Sequence, residues 1–248
     1  MQQTRPRFSK ALFLSDVHLA SEKQGQSFAV FLNQLLGAYS HLCILGDLFD
    51  YWLGPRSEKF PAFQPVLIAL KRLTDSGMIV SFIHGNRDFL LEDSFQKKYG
   101  VRIYSHFQKI RFAHCQILLT HGDLLCTSDH KYQFYRRIIR STSVRIIAAS
   151  LPLDWIHLVA LKLKKTSKKS ISYKSKRHLA LNLNYARELL DDSDVVICGH
   201  VHQEMEYCLQ ENPQKKFFVL GSWETRGCAI EYDGCSFRVL HPELALNG

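Results

Sequence analysis

The sequence predicts an α/β fold in which helices cover both faces of sheet structure. Short apolar runs alternate with segments of helical periodicity over the first 125 residues, and the alternation resumes after residue 178. Such alternation packs helices onto strands. Residues 129–177 break it. They are apolar and basic together, with helical spacing interrupted at Pro152, and they predict a helical insertion standing on the main domain.

The elements follow in order. "ALFLS" (11–15) reads as a strand. "SFAVFLNQLLGAY" (27–39) sets Phe28, Phe31, Leu32, Leu35 and Leu36 at the i, i+3, i+4, i+7, i+8 spacing of an amphipathic helix. "HLCIL" (41–45) is a strand, "FQPVLIALKRLTDSG" (63–77) a helix closed by Gly77, and "MIVSFIH" (78–84) a strand. "QKIRFAHCQILLTH" (108–121) supplies two antiparallel strands. "HLALNLNYARELLDD" (178–192) reads as a helix and "DVVICGH" (194–200) as a strand. "KKFFVLGS", "GCAIEYD" and "CSFRVLH" close the chain as antiparallel strands, with "DGCS" as a hairpin turn.

Composition narrows the function. The 248 residues suffice for one large domain with a full core. The basic N-terminus "MQQTRPRFSK" precedes only a short apolar strand, so a secretory signal peptide is not expected. No stretch reaches the roughly 20 apolar residues that span a bilayer, and "WIHLVALKLKK" is broken by His157 and Lys162. The seven cysteines are odd in number and form no Cys-x-x-Cys, which predicts reduced structural thiols in a cytoplasmic protein. Their spacing does not predict a cysteine zinc site. Residues 131–177 hold thirteen Lys/Arg against the single acid Asp154, so this segment carries +12 of a total of +9 and the remainder sums to −3. Concentrated positive charge points to an anionic partner, or to a solvated helical face.

Five apolar runs end in metal-binding residue types: Asp16 and His18, then Asp47, Asn86, His121, and finally His200 with His202. Ligands of α/β sheets collect beyond the carboxyl ends of strands. Gly46, Gly85, Gly122 and Gly199 are expected to let the backbone turn there. Seven donors on one rim can hold two divalent ions with one carboxylate bridging. Imidazole and carboxylate suit manganese, iron or zinc better than calcium. Two ions about 3.5–4 Å apart suit hydrolysis of a phosphoester or phosphoanhydride.

The blocks "DVH", "GDLFD", "GNRD", "THGD" and "GHVH" resemble those of calcineurin-like metallophosphoesterases, over nearly all the chain outside 129–177. The resemblance implies a four-layer α/β/β/α sandwich with a dimetal site. It assigns Asp16, His18, Asp47 and His202 to one ion. Asp47, Asn86, His121 and His200 fall to the other, at the catalytic centre, with Asp47 bridging. Most members carry His where this chain has Arg87. Arg cannot give up its proton near neutral pH but can hold phosphate bidentately, so the leaving group should need no protonation. A phosphate leaving from a pyrophosphate meets that condition.

The longer stretches "ILGDLFDYWLG", "FIHGNRDFLL" and "THGDLLCTSDHKYQFYRR" are similar to the UDP-2,3-diacylglucosamine pyrophosphohydrolases of lipid A synthesis. This resemblance implies cleavage to UMP and 2,3-diacylglucosamine 1-phosphate with Mn2+, by water attacking the uridine-side phosphorus. It implies a core domain of residues 1–128 and 178–248, a helical lid of 129–177, and peripheral attachment to the cytoplasmic face of the inner membrane. It maps substrate contacts onto Asn86, Arg87, Asp129, Ser167, Lys174 and His200. The chain departs from that pattern at Ile171, where the family carries Asn, at "GHVHQE" in place of "GHTHRP", and at "GSWETRG".

The insertion suits an acylated substrate on its own terms. Ile138, Ile139, Ile146, Ile147, Leu151, Leu153, Trp155, Ile156, Leu158, Val159, Leu161 and Leu163 offer a lining for acyl chains, and the interspersed Lys and Arg a seat on an anionic leaflet. The alternative for these residues is simple packing of the lid. For the whole protein the alternatives are dimetal chemistry on another nucleotide, glycolipid or nucleic acid, or a scaffold that has lost catalysis. Nucleic acid is the weaker fit, because the segment's aromatics form no obvious stacking platform.

Overall fold

A computed structural model describes residues 10–128, 130–150, 152, 155, 158, 181–223 and 226–243. Two sheets face each other. The first runs β11-β10-β1-β2-β3-β4 and the second β5-β6-β7-β9-β8. In the first, β1 (Ala11–Leu14), β2 (His41–Ile44), β3 (Ile79–Ile83) and β4 (Arg102–Tyr104) are mutually parallel. The hairpin β10 (Ala229–Tyr232) and β11 (Phe237–Leu240) adds to β1 antiparallel. In the second, β6 (Cys115–Thr120), β7 (Val195–Cys198) and β9 (Lys216–Val219) are parallel, flanked by antiparallel β5 (Phe107–Phe112) and β8 (Met205–Cys208).

Side-chain alternation builds the layers, because successive residues of a strand point to opposite faces. Ala11 and Phe13 enter a core between the sheets, while Leu12 and Leu14 enter a second core that also takes in Phe28, Leu32, Val66 and Leu70. Those four come from α1 (Glu22–Gln34) and α2 (Gln64–Asp75). On β7, Val195 and Ile197 join the inter-sheet core, and Val196 and Cys198 meet Ala186 and Leu190 of the helix beyond. The result is the α/β/β/α sandwich. Truncating a fully buried side chain such as Phe13 to Ala would cost about 3–5 kcal/mol.

Local chemistry sets the boundaries. The first helix begins at Glu22, earlier than its apolar spacing predicts, because Ser21 and Gln24 form a reciprocal capping box. It ends before Tyr39, and Gly37 sits at φ 73° beyond its last turn. The helix expected from residue 178 starts only at Leu183, where the Asn182 side chain caps the Asn184 and Tyr185 amides; it is α6 (Leu183–Asp191) here. Three short elements escape sequence reading: α3 (Asp93–Tyr99), β4 and β8. One pairing differs from expectation. β9 lies in the second sheet between β7 and β8, apart from β10 and β11. Between β6 and β7, α4 (His130–Ile139) and α5 (Thr142–Ser150) are helical.

Candidate metal centre

Each predicted donor that the structure describes sits at a strand end. Asp16 and His18 follow β1, Asp47 follows β2, Asn86 follows β3, His121 follows β6, and His200 and His202 follow β7. The turns that carry them are interlaced. The Asp16 amide donates to Gly46 O (3.2 Å), the His18 amide to Asp47 O (3.0 Å), and the Gly199 amide to His121 O (2.8 Å).

The backbone there is unusual. Among the described residues, six that are not glycine adopt positive φ: Asp16, His18, Asp47, His200, His202 and Ala113. Five of the six are predicted donors. The left-handed region costs an L-residue about 1–2 kcal/mol, and such strain gathers at functional sites that the surrounding fold over-determines.

Two of the glycines act differently from expectation. Gly46 and Gly122 do turn, at φ 83° and 110°, but Gly85 and Gly199 do not adopt positive φ. They are required for space. A Cβ on Gly85 would lie 2.1 Å from Asp47 Oδ1, and one on Gly199 would lie 2.3 Å from Asp16 Oδ2.

The donors form one connected cluster. His18 Nε2 and His202 Nε2 approach to 3.1 Å. Asp16 Oδ1 lies 3.8 Å from the first and 3.3 Å from the second, is buried, and accepts no well-formed hydrogen bond. On the other side, His121 Nε2 lies 2.8 Å from Asn86 Oδ1, 3.3 Å from His200 Nδ1 and 3.8 Å from Asp47 Oδ2. Two groups of possible ligand atoms result: Asp16, His18 and His202; and Asp16, Asp47 and His121. Asp16 belongs to both, and its Oδ2 also accepts from the His200 amide at 2.8 Å.

A buried carboxylate oxygen without a hydrogen bond, turned toward two imidazole nitrogens, fits a divalent cation, and the nitrogen and oxygen donor set fits two. Orienting contacts complete the arrangement. His121 Nδ1 meets Leu45 O at 2.8 Å, which directs Nε2 inward.

Mutual electrostatics are strong. Burial pushes the Asp16 carboxyl upward, but His202, His121 and His18 together outweigh it and hold it well below the usual carboxylate range. Burial raises Asp47, assisted by the charge of Asp16 and opposed by His121 and Arg87. Burial, then the charge of His121, lowers His200 to about 4. A neutral imidazole is the form that binds a cation.

Arg87 stands at the edge of this cluster. Its amide donates to Asp47 Oδ1 (2.9 Å), its Nε lies 3.8 Å from Asp47 Oδ2, and its guanidinium is paired with Asp50 and lies over the Tyr51 ring. The predicted phosphate clamp is therefore already oriented by protein partners. Asp129, Ser167 and Lys174 lie outside the described residues, as does Ile171.

Sequence reading missed two groups. Asp88 is fully buried and accepts from the Gly85 (3.0 Å), Asp47 (3.2 Å) and Leu48 (2.8 Å) amides, which ties the β2 and β3 turns together. Burial, then the Asp47 charge, raises it to about 7. The second group joins α4 to the rim. Buried Asp123 accepts from Arg136 Nε (2.6 Å) and Tyr132 Oη (3.1 Å), and Arg140 donates to Gly85 O (2.7 Å). Tyr132, Arg136 and Arg140 are spaced i, i+4, i+8 and share one helix face. Two arginines of the basic segment thus turn inward, where the charge run predicts an anionic partner or a solvated helical face. Of the predicted acyl-chain lining, Ile139 packs on the helix-covered core, while Ile138, Ile146, Ile147, Trp155 and Leu158 are exposed. Leu151, Leu153, Ile156, Val159, Leu161 and Leu163 lie outside the described residues.

A two-sheet sandwich with imidazole and carboxylate donors gathered at its strand ends defines a dimetal phosphoesterase. The chain belongs to the calcineurin-like phosphoesterase family, whose pattern matches residues 9–204. It is similar to a UDP-2,3-diacylglucosamine hydrolase of Blochmanniella pennsylvanica, with 33% identity over 242 residues, covering 95% of this chain and 96% of that one. A Shigella sonnei protein of the same name is 33% identical over 236 residues, covering 93% and 98%. A solved phosphoesterase from E. coli aligns at TM-score 0.46 and 19% identity, covering 96% of this chain and 93% of that one.

Proposed function

We propose that this enzyme hydrolyses the pyrophosphate of UDP-2,3-diacylglucosamine, releasing UMP and 2,3-diacylglucosamine 1-phosphate for lipid A synthesis. Two relatives that carry the name UDP-2,3-diacylglucosamine hydrolase support the substrate over more than nine-tenths of their length. The observation that carries the chemistry is Arg87 beside the donor cluster, where most of the family has His.

Asp16, His18, Asp47 and His202 would hold one Mn2+, and Asp47, Asn86, His121 and His200 the other, with Asp47 shared. Bound there, the ions supply Lewis acidity that neutralises phosphoryl charge and acidifies a water. The protein does the rest. Asp88 fixes the turns that aim Asp47 and Asn86. Arg87, oriented by Asp50, grips the pyrophosphate bidentately and donates no proton. None is needed, because water attacks the uridine-side phosphorus and the departing sugar phosphate is stable as an anion.

Residues 129–177 act as a lid over the substrate's lipid, with Asp129, Ser167 and Lys174 as contacts. The Asp123–Arg136 pair and the Arg140–Gly85 contact dock its first helix against the rim. Exposed Phe134, Ile146, Ile147, Trp155 and Leu158 support a seat at the cytoplasmic leaflet of the inner membrane. No helix among the described residues is long and apolar enough to cross a membrane.

The test is incubation of purified protein with Mn2+ and UDP-2,3-diacylglucosamine in mixed micelles. Manganese-dependent UMP release is expected. Absence of UMP, with turnover of a bis(nitrophenyl) phosphate diester intact (its leaving group also needs no proton), would overturn the substrate and leave the dimetal chemistry standing.

A further inference from the structure

Away from the donor cluster, three side chains from three strand ends meet. Glu204 precedes β8, Cys228 precedes β10 and His241 follows β11. The hairpin register pairs Ala229 with Leu240, so Cys228 and His241 face each other one step further along. Glu204 comes from the other sheet. A nitrogen, a sulfur and an oxygen from these three residues all lie within 4.8 Å of one another. His241 Nε2 is 3.7 Å from Glu204 Oε2, close to the edge of about 3.3 Å expected for tetrahedral ligands at bond lengths of about 2.0 Å.

The surroundings are organised for a cation. His241 Nδ1 lies 3.0 Å from the Gly227 carbonyl, to which it donates. That contact fixes the tautomer and turns the Nε2 lone pair toward Glu204 and Cys228, as a second-shell carbonyl does for a ligating imidazole. Cys228 is buried and not in a disulfide. Gly221 forms the floor: a Cβ there would lie 3.3 Å from the Cys228 Cβ and 3.7 Å from both Cys228 Sγ and the Glu204 Cβ. The Glu204 side chain is 45% exposed, which leaves a fourth position open to water.

We propose that Glu204, Cys228 and His241 form a third metal site, which takes Zn2+ and clips the two sheets together just past the segment of chain that carries His200 and His202. Cysteine spacing in the sequence gives no hint of it, because the single thiol finds its partners through the hairpin and across the sandwich. The thiolate also separates this site chemically from the rim. Soft sulfur favours zinc, whereas the all-nitrogen-and-oxygen rim accepts manganese. The clip steadies Glu204, two residues beyond His202, against the first sheet. It does not depend on the identity of the substrate.

Cobalt reports the distinction. The metal-stripped full-length protein is titrated with Co2+ and followed by near-ultraviolet absorption and by metal content per chain. A sulfur-to-cobalt charge-transfer band is expected, which no donor of the rim can produce. Cys228→Ser and His241→Gln should each abolish the band and lower bound cobalt by one ion per chain. His241→Gln, checked for folding by circular dichroism, keeps manganese-dependent turnover, and zinc no longer raises its Tm as it raises that of the unsubstituted protein. No band at cobalt saturation, or a band retained by either variant, would overturn the site.

Discussion

On the rim, His18 and His121 are 4% and 1% exposed, and five residues accept a left-handed backbone to bring their donors together. On α4 and α5, Phe134, Ile146 and Ile147 are 66%, 65% and 59% exposed on regular helices. The rim holds polar atoms in place at the expense of backbone strain. The helices hold apolar atoms in water without any strain. The first arrangement makes sense when cations occupy the donors, and the second when something less polar than water covers the helices. The two regions are joined through one face of α4 and the residue after it, where Tyr132, Gln133, Arg136 and Arg140 meet Asp123, His106 and Gly85 O.

Substitutions can separate them. The largest effect is expected for Asp47→Ala, which removes a donor proposed for both ions. Turnover should fall to background and bound manganese should drop, read by kcat and metal content; near-native rates would contradict the shared carboxylate. Arg87→Lys comes next. It keeps the charge but loses the planar fork, and kcat should fall about 10²–10³-fold, in line with loss of one preorganised charge-stabilising contact. An unchanged rate would remove Arg87 from the mechanism.

Asp88→Asn should act more mildly. It leaves the donors intact but loosens the turns that aim them, and manganese affinity or activity should fall about 10–100-fold. Smallest at the rim, and largest at the membrane, is Ile146→Ser with Ile147→Ser. Each buried aliphatic side chain contributes about 1.5–3 kcal/mol, so binding to anionic vesicles should weaken at least tenfold by that measure. Turnover of a water-soluble substrate should not change. Loss of both together would mean that the two regions are not separable.

The sequence makes the rim legible for a physical reason. Strand ends are punctuated by apolar runs, and a donor type at five of them is a pattern that needs no tertiary knowledge. Asp88 lies inside one of the same blocks, yet its task is to accept three amides from two turns, and only the fold brings those turns together. Arg136 and Arg140 look like part of a solvated charge run, because their partner Asp123 precedes the helix and the inward face becomes visible only when α4 docks. Gly85 and Gly199 are readable as glycines of a turn, but their real constraint is the approach of two carboxylates to within 2.3 Å of where a Cβ would sit. The short strand β8 is not legible because its four residues, MEYC, contain no apolar run and two of them are exposed.

The most direct test is hydrolysis of UDP-2,3-diacylglucosamine in heavy-oxygen water with manganese present, with both products weighed by mass spectrometry. Attack at the uridine-side phosphorus, with the sugar phosphate leaving unprotonated, places the label in UMP alone. Label in the lipid phosphate would contradict the account.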